Sequence, residues 1–289
     1  TPTRLVSSAA SDVYKRQGLV CLIFDQHVVG FLVTILAILG SVIFGAIWGI
    51  IPGYLQAKRG SHIVITTIMF NFIASALMVY LLVNVIIEPG QMSPETRDFA
   101  SGVGLVQIHI LAKYLGLEMA MSPLNLSFIV ALTVSVGFWF LVWRTKFGYE
   151  VRSLGHSETA AIYAGIKVSS TIIIVMAISG GLAGLVAINE LLGVHNKLLL
   201  GFTAGYGFTG IAVALMGRNH PVGIFLASLL FGALYQGGTE LDFEFSSITR
   251  EMVLLIQGLI ILFSGALAYM LNPLVERIYI KYYGNYNNA

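Results

Sequence analysis

Residues 28–51 run for 24 positions without a charged side chain, and that run decides what kind of fold is open to the chain. About 20 apolar residues cross the hydrocarbon core of a bilayer, where backbone amides and carbonyls find no water to bond. A single segment can satisfy them there only as a helix. Comparable stretches follow at 63–87, 124–143, 171–188 and 252–271, with a shorter one at 222–236, while 18–24 reads as the last turns of another span. Composition agrees: 57% of the residues are hydrophobic and 10% charged, against about 25% charged in soluble domains. The expected fold is all-α and integral to the membrane, a polytopic helical domain over 18–289.

The spans carry polar and small residues in patterned places. Gly45, Gly49 and Gly53 repeat every four residues on one helical face, a stripe that lets a second helix approach closely; the alternative is a helix merely flexed by chance glycines. Asn71 and Asn84 lie within the span 63–87, where a buried amide must find a partner or line a polar cavity. The interval 88–123, with Pro89, Pro94 and Pro123, is placed outside, and 103–115 within it is apolar enough for an interfacial or re-entrant helix. Residues 201–217 are too short and too glycine-rich for a plain span, which predicts a broken helix buried in protein. An acidic interval holding Glu240, Asp242 and Glu244 precedes the last span, and the polar tail from 272 is placed inside.

Residues 1–17 fall outside this pattern. They are polar, lack the apolar core of a signal peptide, and the run SSAASDVYKRQ reads as a translated sequencing adapter. Residues 1–17 are therefore expected to be non-native. Without them the formal charge of +2 becomes zero, with 13 basic and 13 acidic residues, so no surface for nucleic acid is expected. The one cysteine, Cys21, supports no disulfide, zinc site or cysteine nucleophile.

Orientation follows from the basic residues. If the spans alternate, the inside intervals hold nine of them: Lys58, Arg59, Arg144, Lys146, Arg152, Lys167, Arg218, Arg277 and Lys281. The outside intervals hold four, Arg97, Lys113, Lys197 and Arg250. By the positive-inside rule this sets the interval 144–167 in the cytoplasm. No catalytic constellation, phosphate loop or metal-spaced histidine pair is visible, so no enzyme activity, cofactor or metal is expected. The spans are nearly free of charge, which weighs against a carrier that binds its driving ion near the midplane. Glu190, at the outer end of a span, is the nearest exception and reads more readily as interfacial than as a substrate contact.

The cytoplasmic interval has internal structure of its own. Ser157 can cap a new helix, Glu158 suits the positive end of its dipole, and the run from Ala160 to Ala164 continues to a stop at Gly165. A solvated loop with a frayed helix is the ordinary reading of such a stretch; a docking handle is the other. The pattern G-x-x-x-x-A-A-x-x-A-G-I formed by Gly155, Ala160, Ala161, Ala164, Gly165 and Ile166 resembles the cytoplasmic coupling loop of ABC importer permeases of the nucleoside, simple sugar and branched-chain amino acid group. R-T-x-F-G-Y-E-V-R-S-L-G at 144–155, S-G-G-L-A-G-L at 179–185, N-E-L-L-G-V-H at 189–195 and G-Y-G-F-T-G-I-A-V-A-L-M-G-R-N-H-P-V-G at 205–223 extend the resemblance, which lies nearest the nucleoside type.

The resemblance implies a permease working with two ABC ATPase subunits, a second permease subunit and a substrate-binding protein, within membrane lipid in the bacterial inner membrane. It implies that Gly155, His156, Ser157, Glu158, Ala160, Ala161, Ala164 and Gly165 form the ATPase-coupling loop, with Gly148 and Gly155 allowing the turns that frame it. Ala161→Asp is then expected to put a charge into the docking cleft. The family's initial spans have no counterpart here, so the chain is expected to be truncated at its N-terminus. For the substrate pathway the candidates are Asn71, Asn189, Glu190, Phe208 and Gln257: amides and a carboxylate for hydroxyls or a base edge, and a ring to stack on a base. Helix packing or an interhelical hydrogen bond is the alternative for Asn71 and Gln257. Trp48, Trp139 and Trp143 read as core or interfacial belt residues. Simple sugars and branched-chain amino acids are the other substrates considered, and a non-ABC carrier or channel the other class.

Overall fold

A run of apolar residues with no water to bond to should coil so that each amide meets the carbonyl four residues back, and the chain does this repeatedly. The structure, a computed structural model, describes residues 30–87, 95–99, 103–114, 124–200, 205–244, 252, 255–260 and 262–263. Its helices are α1 (Gly30–Arg59), α2 (Ile63–Asn84), α3 (Ile108–Tyr114), α4 (Ser127–Arg144), α5 (Lys146–His156), α6 (Glu158–Tyr163), α7 (Val168–Gly184), α8 (Tyr206–Met216) and α9 (Pro221–Glu244), with a π-helical segment, Ile188–His195, after α7. Among the described residues five helical stretches are long and apolar enough to cross a membrane: Leu32–Arg59, Ile63–Asn84, Ser127–Arg144, Val168–His195 and Pro221–Leu241. The expected terminal stretches 18–24 and 252–271 lie wholly or largely outside the described residues.

Two compact units can be recognised, Thr1–Gly210 and Ile211–Ala289. In the first, α1 and α7 form the tightest pair. A Cβ at Gly45 would run into the carbonyl oxygen of Gly180, one at Gly49 into that of Met176, and one at Gly184 into that of Ser41. The glycine stripe of α1 therefore packs backbone to backbone on the S-G-G-L-A-G run, and Ser169 Oγ donates to Ala57 O at 3.3 Å near the ends of the same two helices. Trp48 meets Phe70 of α2 edge-on at 5.7 Å. Arg144 lies 5.8 Å over the Trp139 ring at the end of α4.

The core of this unit sits where α1 begins, α2 ends and the π-helical segment runs: Val33, Ala37, Met78, Leu82, Ile188, Leu191 and Leu192 are buried together with Phe99, Val103 and Leu198. Phe99 and Val103 come from the interval between α2 and α4, which crosses this end as a strap. Thr96 N donates to Leu198 O at 3.1 Å, Phe99 N to Asn196 O at 2.8 Å and Leu105 N to Leu192 O at 2.8 Å. The Thr96 hydroxyl accepts from Leu198 N at 3.0 Å, and Lys197 pairs with Glu95 at 3.1 Å. Glu95, Thr96 and Phe99 of the interval 88–123 thus belong to a strap that covers one end of this core, while Pro89, Pro94 and Pro123 lie outside the described residues. Within 103–115, where an interfacial or re-entrant helix is expected, the described helix is the short α3, beginning at Ile108.

In the second unit α9 packs on the end of α8 through Ala212, Val213, Ala227 and Phe231. The turn between them has Arg218 and Asn219 at φ of 52° and 56°. Two expectations change here. Residues 201–217 do contain a short helix, the 11-residue α8, but α9 does not stop at 236: it continues through Gly237 and Gly238 to Glu244, so Glu240, Asp242 and Glu244 ride on a helix instead of forming an interval.

Candidate functional site

At the inner end of α4 the chain turns twice, each time at one residue. Thr145 is extended (φ −107°, ψ 158°), and its hydroxyl accepts from Gly148 N at 3.1 Å while donating to Leu141 O at 2.5 Å. It thereby closes one helix and caps the next. Gly148 is buried inside this corner, where a Cβ would run into the carbonyl oxygens of Leu141 and Val142. Gly148 thus permits the first corner by leaving room for it, as expected, whereas Gly155 sits within α5 with open space around it. The turn-permitting role expected of Gly155 falls to Ser157.

Ser157 makes the second corner. Its backbone N donates to Ser153 O at 3.1 Å, ending α5, and its hydroxyl accepts from Ala160 N at 3.3 Å, starting α6. The far end of α6 closes as a Schellman motif: Ile166 N donates to Ala161 O at 3.0 Å and Gly165 N to Ile162 O at 2.9 Å, with Gly165 at φ +79°. Six residues are too few to hold a helix by propensity alone, so the two stops and the packing on α5 and α7 hold α6 in place. Its surface is uneven. Ala161 is 1% exposed, whereas Tyr163 is 93% exposed and Ile162, His156, Glu158, Ala160, Ala164 and Gly165 are all exposed. Ala161 faces its own chain, which corrects the expectation that a charge there would enter a partner's cleft.

At the opposite end of α4 lies a polar node. The Asn189 carbonyl oxygen accepts from Asn125 Nδ2 at 3.1 Å and from Ser127 Oγ at 2.8 Å, and its Nδ2 donates to Glu190 Oε1 at 3.1 Å. Asn125 Oδ1 accepts from Ser127 N at 2.9 Å, capping the start of α4. The other oxygen of Glu190 stands 3.7 Å from His195 Nε2. Asn125 lies over Gly193, where a Cβ would strike its amide. A π-helix turns more widely than an α-helix and commonly marks a function; here the wider turn carries Asn189 and Glu190. Glu190, at this span's end, is only 9% exposed and hydrogen-bonded to Asn189.

The pathway candidates are spread out. Asn189 and Glu190 come together, joined by Asn125, Ser127 and His195. Asn71 is half-buried on α2, on the same helical face as the buried Thr67, Ala74 and Met78. Phe208 is 69% exposed in the first turn of α8, and Gln257, in the second unit, is 6% exposed. Asn125 and Ser127 are the residues that sequence reasoning missed. Their signal was an Asn and a Ser opening an otherwise apolar span, the composition of a helix start.

The family model described as branched-chain amino acid transport system / permease component matches residues 6–265. The guanosine ABC transporter permease protein NupP of Bacillus subtilis is 35% identical over 246 residues, 84% of this chain and 68% of that protein. The glucose ABC transporter permease protein TsgB13 of Haloferax volcanii is 31% identical over 79% of this chain and 60% of its own length. The nucleoside ABC transporter permease protein NupB of Lactococcus lactis is 31% identical over 80% and 63%. The chain thus spans about two thirds or less of the length of these relatives. No solved structure matches it. With a match over most of its length and five membrane-length apolar helices, the chain belongs to the branched-chain amino acid transport system / permease component family of polytopic membrane proteins.

Proposed function

We propose that the chain is the membrane subunit of an ATP-driven ABC importer of nucleosides in the bacterial inner membrane, working by alternating access. The observation that carries the coupling role is α6, a helix stopped at both ends that leaves Ile162 and Tyr163 exposed beside the buried Ala161. An aromatic with no cover on its own chain is what a partner's pocket takes up. In this reading the coupling loop runs from Gly155, His156, Ser157 and Glu158 through Ala160, Ala161 and Ala164 to Gly165. ATP is hydrolysed by separate ATPase subunits, and a second permease subunit and a substrate-binding protein complete the transporter. ATP-driven closure of the ATPases carries α5 and α6 with it, because only contacts that differ between the two ATPase states can shift the membrane helices.

Similarity to guanosine and nucleoside permeases supports the substrate class, and the 31% identity to a glucose permease makes simple sugars the second reading. Phe208, exposed and planar, is assigned to stacking on a base, with Asn71, Gln257 and the Glu190 carboxylate along the pathway. The test is uptake of radiolabelled uridine and guanosine in cells carrying this permease, its ATPase and its binding protein, with ribose, glucose and leucine as competitors. Uptake abolished by an inactive ATPase and blocked only by nucleosides is the expected result. Block by glucose or ribose instead would transfer the substrate to sugars, and uptake indifferent to the ATPase would overturn the importer reading.

A further inference from the structure

We infer that Asn189 is the outer pivot of α4, a positioning residue and not a substrate contact; the inference rests on the importer reading above. Three of the four hydrogen bonds its side chain can make are spent within the chain: the oxygen accepts from Asn125 and Ser127, and one of the two amide N–H groups donates to Glu190. With its acceptor filled, it has at most one N–H to offer a passing solute. Its partners lie at the first turn of α4, whose entry is also bonded to the strap through Leu126 N to Val106 O at 3.2 Å and Ile108 N to Leu124 O at 2.8 Å. Along its whole length α4 then has no buried residue. At its inner end the Thr145 corner joins it to α5 and α6. A rod tied down at one end, at most half-buried along its shaft and gripped at the other turns about the tied end. Force applied at α6 swings the inner end of α4 while Asn189 holds the outer end in place.

The test measures coupling and distance together in the assembled transporter. For Asn189→Ala, nucleoside carried per ATP hydrolysed falls about tenfold, the order expected when hydrogen bonds that fix a helix are lost, with complex assembly unchanged, and in Ser127→Ala, which keeps the Asn189–Glu190 bond, KM for uridine is unchanged. A raised KM with normal coupling would make Asn189 a substrate contact and overturn the inference. Should Asn189→Ala fail to assemble, Ser127→Ala removes one bond alone and must show a smaller loss of coupling; normal coupling there also overturns it. Spin-label pairs at the exposed Ile129 and Tyr80 report the outer end, and pairs at Phe140 and Ile65 the inner end. On adding ATP the inner distance shifts and the outer one holds. Equal shifts at both ends, or none at either in a transporter with ATP-driven uptake, reject the pivot alone, whereas absence of ATP-driven uptake in the unmutated protein rejects the importer reading and the pivot with it.

Discussion

Single side chains in this molecule divide into those that face their own chain and those that do not, and substitutions should separate the two. Ala161 is buried, so Ala161→Asp places an unpaired carboxylate against α5 and α7 and should lower the amount of folded permease with no partner present. Tyr163→Ala and Ile162→Ala should leave the isolated permease as stable as before. In pull-down they should weaken ATPase association by about tenfold or more if these side chains are anchors. Glycines offer a second contrast. Gly180→Ala drives a methyl into the Gly45 carbonyl and should cost about 1–3 kcal/mol in detergent unfolding. Gly155→Ala, in open space on a helix, should gain about 0.5–1 kcal/mol. At this scale the sequence was readable where a residue's task is local. Ser157 and Gly165 were legible as caps because capping involves residues three to five positions apart. The bonds of Asn189 were not, since Ser127 and Asn125 lie 62 and 64 residues away.

Helices and their ends show the same division. The four-residue repeat of Gly45, Gly49 and Gly53 announced a face for close approach, because helical period alone puts those positions in line. That the face would meet α7 was not deducible, since pairing is a property of the whole bundle. The length of α9 was misjudged at Gly237 and Gly238: glycine lowers helix propensity without ending every helix, and here Gln236 bonds across the pair, its Nε2 donating to Glu240 Oε1 at 3.0 Å and its carbonyl accepting from the Thr239 hydroxyl at 2.7 Å. The π-helical turn after α7 left no local signature, since its wider winding is fixed by the strap that bonds to Leu192. Within the corner between α5 and α6, Ser157→Ala removes a helix cap and should weaken α6 by about 1 kcal/mol. Faster amide exchange at Ala160 and Ala161, with unchanged exchange in α7, would report it, and Ser157→Asp, which can still accept the bond, should restore protection.

For the molecule as a whole, the tightest pair sets what can move. The Cβ that a side chain at position 181 would add lies 3.9 Å from that of Ala46, within the span a disulfide bridges. In a chain whose native Cys21 is replaced by serine, Ala46→Cys with Gly181→Cys should oxidise readily and leave nucleoside uptake unchanged, because α1 and α7 travel as one body. Loss of uptake on oxidation, restored by a reductant, would show instead that the two helices slide during transport. The exposed ring of Tyr163 has a further consequence, concerning the time before the transporter is built. A permease released into the membrane ahead of its partners leaves this aromatic knob uncovered, the kind of feature that chaperones and membrane proteases inspect. Orphaned copies should be short-lived and ATPase-bound copies long-lived, so the side chain assigned to transmitting force would also keep the subunits in matched numbers.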